Sequence, residues 1–305
     1  MRILLLLAAA MAAPGATYYV TVAGLGGDPL FDQRFNGLAQ ELDKLVRTTP
    51  DAKVTTLMGP EAVKTRIRAA LEDAAKNGKA EDTLVVTLIG HGNFDGQDYK
   101  VNIPGADMTA AELAEWMDRV PAQKQVVINT TPCSGASIDM LRRDNRVVVT
   151  ATKAASERLA TQFARFWVEA VRNPEADTDK NEVVSVLEAF RFADKKTVGF
   201  YESQKRLATE HAMLEDTGKG NGVRAPGPDN GHGLLAGQTQ LVRFGAMQQA
   251  AKSPEKQALL KRREDVEAKI EKLKYEKAAI SVADYRKQLG ALLLELAKVQ
   301  EEIDR

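Results

Sequence analysis

The stretch TLVVTLIGHG, residues 83–92, is nearly continuous in its apolar character until it ends in Gly90, His91 and Gly92. Such a run is typical of a strand buried on both faces of a parallel sheet, because helices cover both faces of these sheets. A second run, QVVINTTPCSG at 125–135, has the same form and ends in the only cysteine of the chain, Cys133. The two runs predict two buried strands, each of which delivers a reactive side chain at its end.

Strand and helix patterns alternate on both sides of these two runs. Further strands are predicted at 17–27, 52–59 and 145–152, and helical patterns occupy 31–47, 60–78, 109–120 and 134–143. Thr109 and Glu112 have the spacing of a capping box, which marks a helix start. The alternation predicts an α/β fold with a mostly parallel β-sheet flanked by helices.

The last part of the chain has a different character. Residues 254–305 are charged and helix-forming, with two apolar stripes at helical spacing, and Ser281 with Asp284 forms a capping signal between them. This pattern predicts an antiparallel helical hairpin, or coiled coil. We therefore divide the chain into residues 1–16, 17–240 and 241–305. The hairpin has three readings: a solvated accessory element, an oligomerisation or partner-binding element, and a cap over the sheet edge.

The N-terminus predicts export. Residues 1–16 combine Arg2, an apolar run from Ile3 to Ala12 and small residues at the end, which is the plan of a cleaved signal peptide. No second apolar stretch of spanning length follows, so we expect a periplasmic or secreted protein without a membrane span. Acidic and basic residues are equal in number, 42 each, which argues against nucleic acid as a partner.

In an oxidising compartment a lone cysteine is either a reactive thiol, half of an intermolecular bridge, or a small buried apolar residue. Because functional groups collect at the carboxyl ends of parallel strands, His91 and Cys133 are candidates for a nucleophile–base pair. The backbone amides of Gly92 and Cys133 are candidate donors to a developing oxyanion. The other reading is that His91 caps a strand and Cys133 fills space.

The order of GHG, CSG some forty residues later and VVVTAT resembles the cysteine peptidases of the caspase-like clan, most closely the legumain family. The GLGG turn at 24–27 and the segment ATEHAMLEDTGKGNG are similar to bacterial legumain-like domains. The resemblance implies a caspase-like fold over residues 17–240 and a Cys133–His91 dyad that hydrolyses peptide bonds after Asn or Asp without a required cofactor. It also implies that Arg34 contacts the residue before the cleaved bond. Pro132 before the cysteine keeps open a catalytically inactive scaffold that binds peptides or proteins.

A second site is predicted in DTDKNEVVSVLE, residues 177–188. Side chains stand at positions 1, 3, 5, 9 and 12 of an EF-hand-type calcium loop, and Val183 would supply a carbonyl at position 7. These five side chains are Asp177, Asp179, Asn181, Ser185 and Glu188. Glu182 occupies the position of the loop's usual glycine, so a polar turn that caps a helix is the alternative. Bound calcium would stabilise the helical region, and a calcium-stabilised structural protein is a third reading of the chain.

Overall fold

The computed structural model describes residues 15–305. The predicted signal peptide, residues 1–16, lies outside the described residues apart from Gly15 and Ala16. Its cleavage and the export of the protein therefore stay predictions.

Eleven strands are present in the described residues. They are β1 (Thr17–Ala23), β2 (Ala52–Leu57), β3 (Thr83–Ile89), β4 (Gly92–Phe94), β5 (Tyr99–Val101), β6 (Met108–Thr109), β7 (Lys124–Asn129), β8 (Arg146–Thr150), β9 (Val183–Ser185), β10 (Met213–Glu215) and β11 (Gln240–Arg243). Six of them form the main sheet in the order β10-β8-β7-β3-β1-β2. Within this sheet β10 alone runs antiparallel to its neighbour.

Ten α-helices surround and extend the sheet in the described residues. They are α1 (Pro29–Val46), α2 (Lys64–Asn77), α3 (Ala110–Asp118), α4 (Ile138–Leu141), α5 (Phe163–Arg172), α6 (Val186–Ser203), α7 (Leu234–Gly237), α8 (Gly245–Ala250), α9 (Gln257–Glu276) and α10 (Val282–Asp304). The capping box predicted at Thr109 is formed at the start of α3, with both reciprocal hydrogen bonds present.

The main sheet separates two apolar cores, because successive side chains of a strand point to opposite faces. Val126 enters the core that is completed by α1, α5 and α6, and Val127 enters the core completed by α2, α3 and α4. The apolar runs noted in the sequence are continuous because both faces of their strands are covered. The predicted fold class, a mostly parallel sheet flanked by helices, is confirmed.

The C-terminal hairpin is also present. α9 and α10 pack against each other, and Ser281 caps α10 by accepting a hydrogen bond from the Asp284 amide. Its far end joins a small core with α8 through Leu260, Val299 and Ile303. The division at residue 240 falls inside β11, which pairs with β9, so the chain leaves the sheet layers only after Arg243.

Two small sheets complete the fold. One joins β4, β5 and β6 directly after the end of β3, and the other joins β9 and β11. Among the residues described, no helix is both long enough and apolar enough to cross a membrane.

Arg146 is a fully buried cation at the start of β8. Its guanidinium donates to the side-chain oxygen of Gln125 (3.0 and 2.8 Å), the carbonyl of Leu141 (2.8 Å) and the carboxylate of Asp118 (2.6 Å). Arg143 contacts the same carboxylate at 2.8 Å from the surface. The two arginines share one acidic partner and differ in burial.

We expect Arg146→Ala to lower the free energy of unfolding by about 3 kcal/mol, because it leaves buried acceptors without donors. Arg143→Ala is the matched control and should cost less than ~1 kcal/mol, since its ion pair is exposed. Urea denaturation of both variants measures the difference. Equal losses would contradict the assignment of Arg146 as the buried anchor at the start of β8.

Candidate active site

The candidate site lies at the carboxyl ends of β1, β3 and β7. β3 pairs in parallel with both other strands, and the chain reverses its direction of winding between β1 and β3. The ladder between β3 and β7 continues past the strand ends, where the amide of Thr130 donates to the carbonyl of Leu88 at 3.0 Å. In open α/β sheets, such a reversal opens a crevice in which ligands bind.

His91 follows β3 and is held by the first turn of the fold. Its Nε2 lies 3.1 Å from the carbonyl oxygen of Gly26, in the turn after β1. A carbonyl can only accept, so this hydrogen bond places the proton on Nε2 and leaves Nδ1 with a free lone pair. The rings of Phe31 and Phe35, both from α1, meet the imidazole edge to face at centroid distances of 4.8 and 5.1 Å. The imidazole therefore has a fixed orientation and a fixed tautomer.

Gly92 allows the two strand ends to approach each other. A Cβ at this position would lie 2.5 Å from Thr131 Oγ1 and 3.0 Å from the carbonyl oxygen of Pro132. A side chain here would push the segment of His91 away from the residues that precede Cys133. The glycine in GHG is therefore required by packing, whatever its amide does in catalysis.

Cys133 stands in a strained conformation at the end of β7. Its φ is 58° and its ψ is 6°, and among the described non-glycine residues with positive φ it alone is buried. A left-handed conformation costs a non-glycine residue roughly 1–2 kcal/mol, and buried strain of this kind concentrates at functional sites. The side chain is 2% exposed, so solvent does not reach the thiol in this conformation.

The electrostatic surroundings of Cys133 favour the neutral thiol. Burial raises the pKa of Cys133 above its ordinary value, while the charge of Arg158 and the backbone N–H of Phe94 offset part of the rise. Within the described part of the chain, no hydrogen bond joins the Cys133 thiol to the His91 ring. The two residues that the sequence singled out lie at neighbouring strand ends, but the thiol is not activated in this conformation.

The segment after β8, residues 151–161, covers Cys133, and we call it the covering loop. Its Glu157 carbonyl accepts a hydrogen bond of 2.8 Å from the Cys133 amide. That amide was a predicted oxyanion donor, and here a carbonyl of the chain itself is bound to it. The carboxylate of Glu157 accepts from the Lys153 amide at 2.9 Å, from the His211 amide at 3.1 Å and from the His211 ring.

The CSG motif holds the start of the covering loop. The hydroxyl of Ser134 lies 3.1 Å from the Thr152 hydroxyl, and the Gly135 amide donates to that hydroxyl at 3.0 Å. A Cβ on Gly135 would lie 2.3 Å from the carbonyl carbon of Lys153. We call residues 131–135, which carry Cys133, the cysteine turn. The absence of a side chain at Gly135 allows this turn to lie in close contact with the covering loop.

A buried polar network supports the cysteine turn from below. The Tyr99 hydroxyl, from β5, contacts Asn129 Oδ1 at 3.1 Å and the hydroxyl of Thr131. Asn129 also donates to Ser137 at 3.1 Å, and Ser137 donates to the Ser134 carbonyl at 2.6 Å. Burial raises the pKa of Tyr99 far above its usual range, so this hydroxyl stays neutral.

Arg34, the predicted substrate contact, extends from α1 to the far end of the covering loop. One of its terminal nitrogens donates to the Thr161 carbonyl at 2.7 Å and reaches the Gln162 side chain at 3.3 Å. Burial lowers the pKa of Arg34, and the nearby Glu210 opposes this effect. The guanidinium of Arg34 therefore contacts the end of the covering loop, at Thr161.

The predicted calcium loop brings part of its residues together. Carboxylate oxygens of Asp177, Asp179 and Glu188 lie within 4.8 Å of one another. Glu182, at the glycine position of the motif, has the positive φ of 61° that the motif needs there. Desolvation and the charges of Glu188 and Asp177 raise the pKa of Asp179 to about 6.

The other two side chains of the calcium loop are engaged elsewhere. Asn181 Oδ1 accepts from the Val183 amide at 2.9 Å. Ser185 caps α6 in a capping box with Glu188, as in the alternative reading of the sequence. Both carboxylate oxygens of Glu188 accept protein hydrogen bonds, Oε1 from Thr178 and Oε2 from Ser185.

Several residues of the site were not identified from sequence. The Gly26 carbonyl that orients His91 is a backbone atom, and only the resemblance of the GLGG turn pointed to it. Tyr99 lies in a short hairpin between β3 and β7, and Glu157 lies in a loop, and neither has a motif of its own. Spatial contact with the cysteine turn is the property that they share.

Two cavities lie away from the candidate site. One of about 320 Å³ is at the amino ends of β1, β3 and β7, and one of about 490 Å³ lies between α6 and the hairpin. Neither is lined by His91 or Cys133.

The chain matches no protein-family model and no curated protein. Solved structures similar to it include the Drosophila initiator caspase Dronc, with 11% identity, a TM-score of 0.46, and coverage of 67% of this chain and 80% of that one. Caspase-1 from Spodoptera frugiperda has 13% identity and a TM-score of 0.48, over 68% of this chain and 88% of that one. A protein from Geobacter sulfurreducens has 12% identity and a TM-score of 0.41, over 60% and 88% of the two chains. The similarity concerns the arrangement of helices and strands.

Proposed function

We propose that the protein is an exported cysteine endopeptidase that is latent in this conformation, with Cys133 as nucleophile and His91 as general base. The observation that carries the proposal is the pairing of two preorganised groups at neighbouring strand ends. His91 has its tautomer set by the Gly26 carbonyl, and Cys133 is held in a strained turn that follows the neighbouring strand β7. An inert cysteine that only fills space gives no reason for that strain.

The chemistry follows from these two groups. The Cys133 proton passes to His91 Nδ1 while the sulfur attacks the carbonyl carbon of the peptide bond. The C–N bond then breaks, the amine takes the proton from the imidazolium, and a thioester remains. Water that gives a proton to His91 attacks the thioester, the C–S bond breaks, and the thiol recovers its proton.

Activity requires displacement of the covering loop. Moving Glu157 away frees the Cys133 amide, which then points a donor at the substrate carbonyl where negative charge develops. The same movement exposes the thiol and removes the burial that raises its pKa. Gly92 lies against the cysteine turn, so its amide is close enough to the same region to serve as the second donor.

The substrate class is an extended peptide. A guanidinium binds a carboxylate or amide oxygen well, so Arg34 is suited to the side chain of Asn or Asp before the cleaved bond. This agrees with the preference that the legumain-like motifs imply. In the closed conformation Arg34 holds the Thr161 carbonyl, which a substrate would replace.

A non-catalytic peptide- or protein-binding scaffold is the second candidate. The engaged Cys133 amide and the raised thiol pKa favour it, because both belong to a closed site. The two candidates differ in whether the covering loop opens to a reactive thiol.

We expect the protein without its first 16 residues to cleave peptides that contain Asn or Asp. Cys133→Ala and His91→Ala should each lower the rate roughly a thousandfold or more, because one removes the nucleophile and the other its base. The control is Met140→Ala, an exposed change on neighbouring α4. Cleavage that persists in Cys133→Ala would refute the peptidase proposal. No cleavage by either the parent protein or Glu157→Gln, in which the covering loop is held less firmly, would favour the scaffold.

The closed site makes a separate prediction about thiol chemistry. At pH 7, Cys133 should react with iodoacetamide at least roughly tenfold more slowly than free cysteine, because the thiol is buried away from the reagent. The raised pKa acts in the same direction, since the thiolate is the reactive form. The rate should continue to climb with pH beyond the usual cysteine range. Glu157→Gln weakens the attachment of the covering loop to His211 and should speed alkylation, whereas the exposed Glu175→Gln should not. A thiol already fast at pH 7 would contradict the closed conformation.

We also propose that the loop at 177–188 binds calcium as a stabilising ion. Three clustered carboxylates, the positive φ of Glu182 and the position of β9 and α6 at the end of the loop support this. Asp177, Asp179 and Glu188 would hold the ion, together with the Val183 carbonyl, after Asn181 and Ser185 exchange their present hydrogen bonds.

Calcium added to the chelator-treated protein should raise its Tm by several degrees, since a ligand at about 100 times its Kd stabilises by ~2.7 kcal/mol. Asp177→Asn should abolish the shift and the heat of binding in calorimetric titration. Asp229→Asn, an exposed change, serves as the control. An unchanged Tm and no heat of binding in the parent protein would exclude the site.

A further inference from the structure

α10 carries apolar side chains on two faces, and only one of them is covered by the chain. Its long stripe runs from Tyr285 to Ile303 with alternating spacings of four and three residues, packs on α9 and ends in the buried Val299 and Ile303. Arg262 of α9 reaches Glu295 of α10 at 3.3 Å along the same contact. This side of α10 needs no further partner.

The opposite side of α10 remains exposed, and we call it the outer face. Leu293 is 50% exposed and Leu294 is 59% exposed, at the middle of a helix about 35 Å long. The residues of the outer face are Arg286, Gly290, Leu293, Leu294, Ala297 and Glu301. With Gly290 and Ala297 these leucines form a contiguous apolar strip between Arg286 and Glu301, and an exposed apolar patch with a polar rim is typical of an interaction site.

Gly290 points to a helix as the partner. A Cβ at Gly290 would meet nothing within 4 Å, so the fold of the single chain does not require glycine there. Glycine inside a helix costs about 1 kcal/mol relative to alanine. Close approach of a second backbone is a reason to keep so small a residue at this position, and Ala297 on the same face is small as well.

The outer face is complementary to itself when it is turned end to end. In an antiparallel pair centred between Leu293 and Leu294, Leu293 of each copy lies opposite Leu294 of the other copy. Gly290 then lies opposite Ala297, and Arg286 lies opposite Glu301. The two ends thus combine opposite charges, and the centre combines apolar groups.

A parallel pair would lack this match. It would place Arg286 against Arg286 and Glu301 against Glu301, which repels at both ends. Glu301 also contacts Arg305 of its own chain at 2.5 Å, and both side chains are exposed. The carboxylate therefore remains accessible to a second cation.

We propose that the outer face of α10 binds α10 of a second copy of this chain, antiparallel and about a two-fold axis. The proposal is independent of the peptidase function. Two Leu293–Leu294 contacts form its centre, Gly290 and Ala297 let the helices approach, and two Arg286–Glu301 ion pairs set direction and register. Charge complementarity selects a second copy over an unrelated helix.

Sedimentation equilibrium of the chain without residues 1–16 tests the proposal, from about 1 to 100 μM. We expect a dimer that dissociates on dilution. Leu293→Asp with Leu294→Asp should give a monomer over the whole range, while Tm changes little beyond the loss of dimer because both side chains are exposed. A parent protein that stays monomeric at the highest concentration, or a dimer that survives both changes, overturns the proposal.

A charge exchange tests the direction of pairing. Arg286→Glu and Glu301→Arg should each weaken the dimer roughly tenfold, and the two changes together should restore it. Lys298→Glu is the matched control, since it makes the same change of charge on α10 outside the outer face and should have little effect. Failure of the double variant to recover dimer affinity would overturn the antiparallel register, whatever the single variants do.

Discussion

The parallel pairing of β3 with β7 is the constraint on which the candidate site depends. Both strands are covered on both faces, so a shift of register by one residue would move every side chain to the opposite core. With the register set, the chain leaves the sheet at Leu88 and Asn129 side by side, and the next few residues of each strand must meet. The approach of Gly92 to the Thr131–Pro132 backbone is the direct result. The positions of His91 and Cys133 follow from core packing several residues earlier.

Two sets of contacts hold the turn that carries Cys133, a buried polar network on one side and the covering loop on the other. The network of Tyr99, Asn129 and Ser137 holds the turn from below with buried hydrogen bonds, which rigidify a structure only when all groups are satisfied. From above, the covering loop supplies a carbonyl to the Cys133 amide. The loop is held at its start by the buried Ala151 and Thr152, at its middle by the pair of Glu157 and His211, and at its end by Thr161. Displacement of the covering loop would leave the Tyr99, Asn129 and Ser137 network in place, but it would remove the loop's hydrogen bonds to Cys133, Ser134 and Gly135.

The sequence allowed much of the framework to be predicted because its signals are local. Continuous apolar runs identified β3 and β7, and the spacing of Thr109 and Glu112 identified the start of α3. The hairpin of α9 and α10 followed from two stripes and a cap at Ser281. The predicted division at residue 240 falls inside β11, whose pairing with β9 is a long-range contact that local signals do not encode. In the loop at 177–188, the same spacing of polar residues agreed with a calcium loop and with a helix cap. In the structure, the side chains of Ser185 and Glu188 take part in a helix cap.

By itself, the sequence determined which residues form buried strands, which reactive side chains end them and where the capped helices α3 and α10 begin, since propensity, capping and periodicity act over a few residues. The tertiary structure alone decided that Gly26 orients His91, that Tyr99 supports the cysteine turn and that Glu157 occupies the Cys133 amide. Each of these contacts joins segments far apart in the chain through backbone atoms or unremarkable side chains. Their chemistry depends on distance and direction in space, which short sequence patterns do not encode.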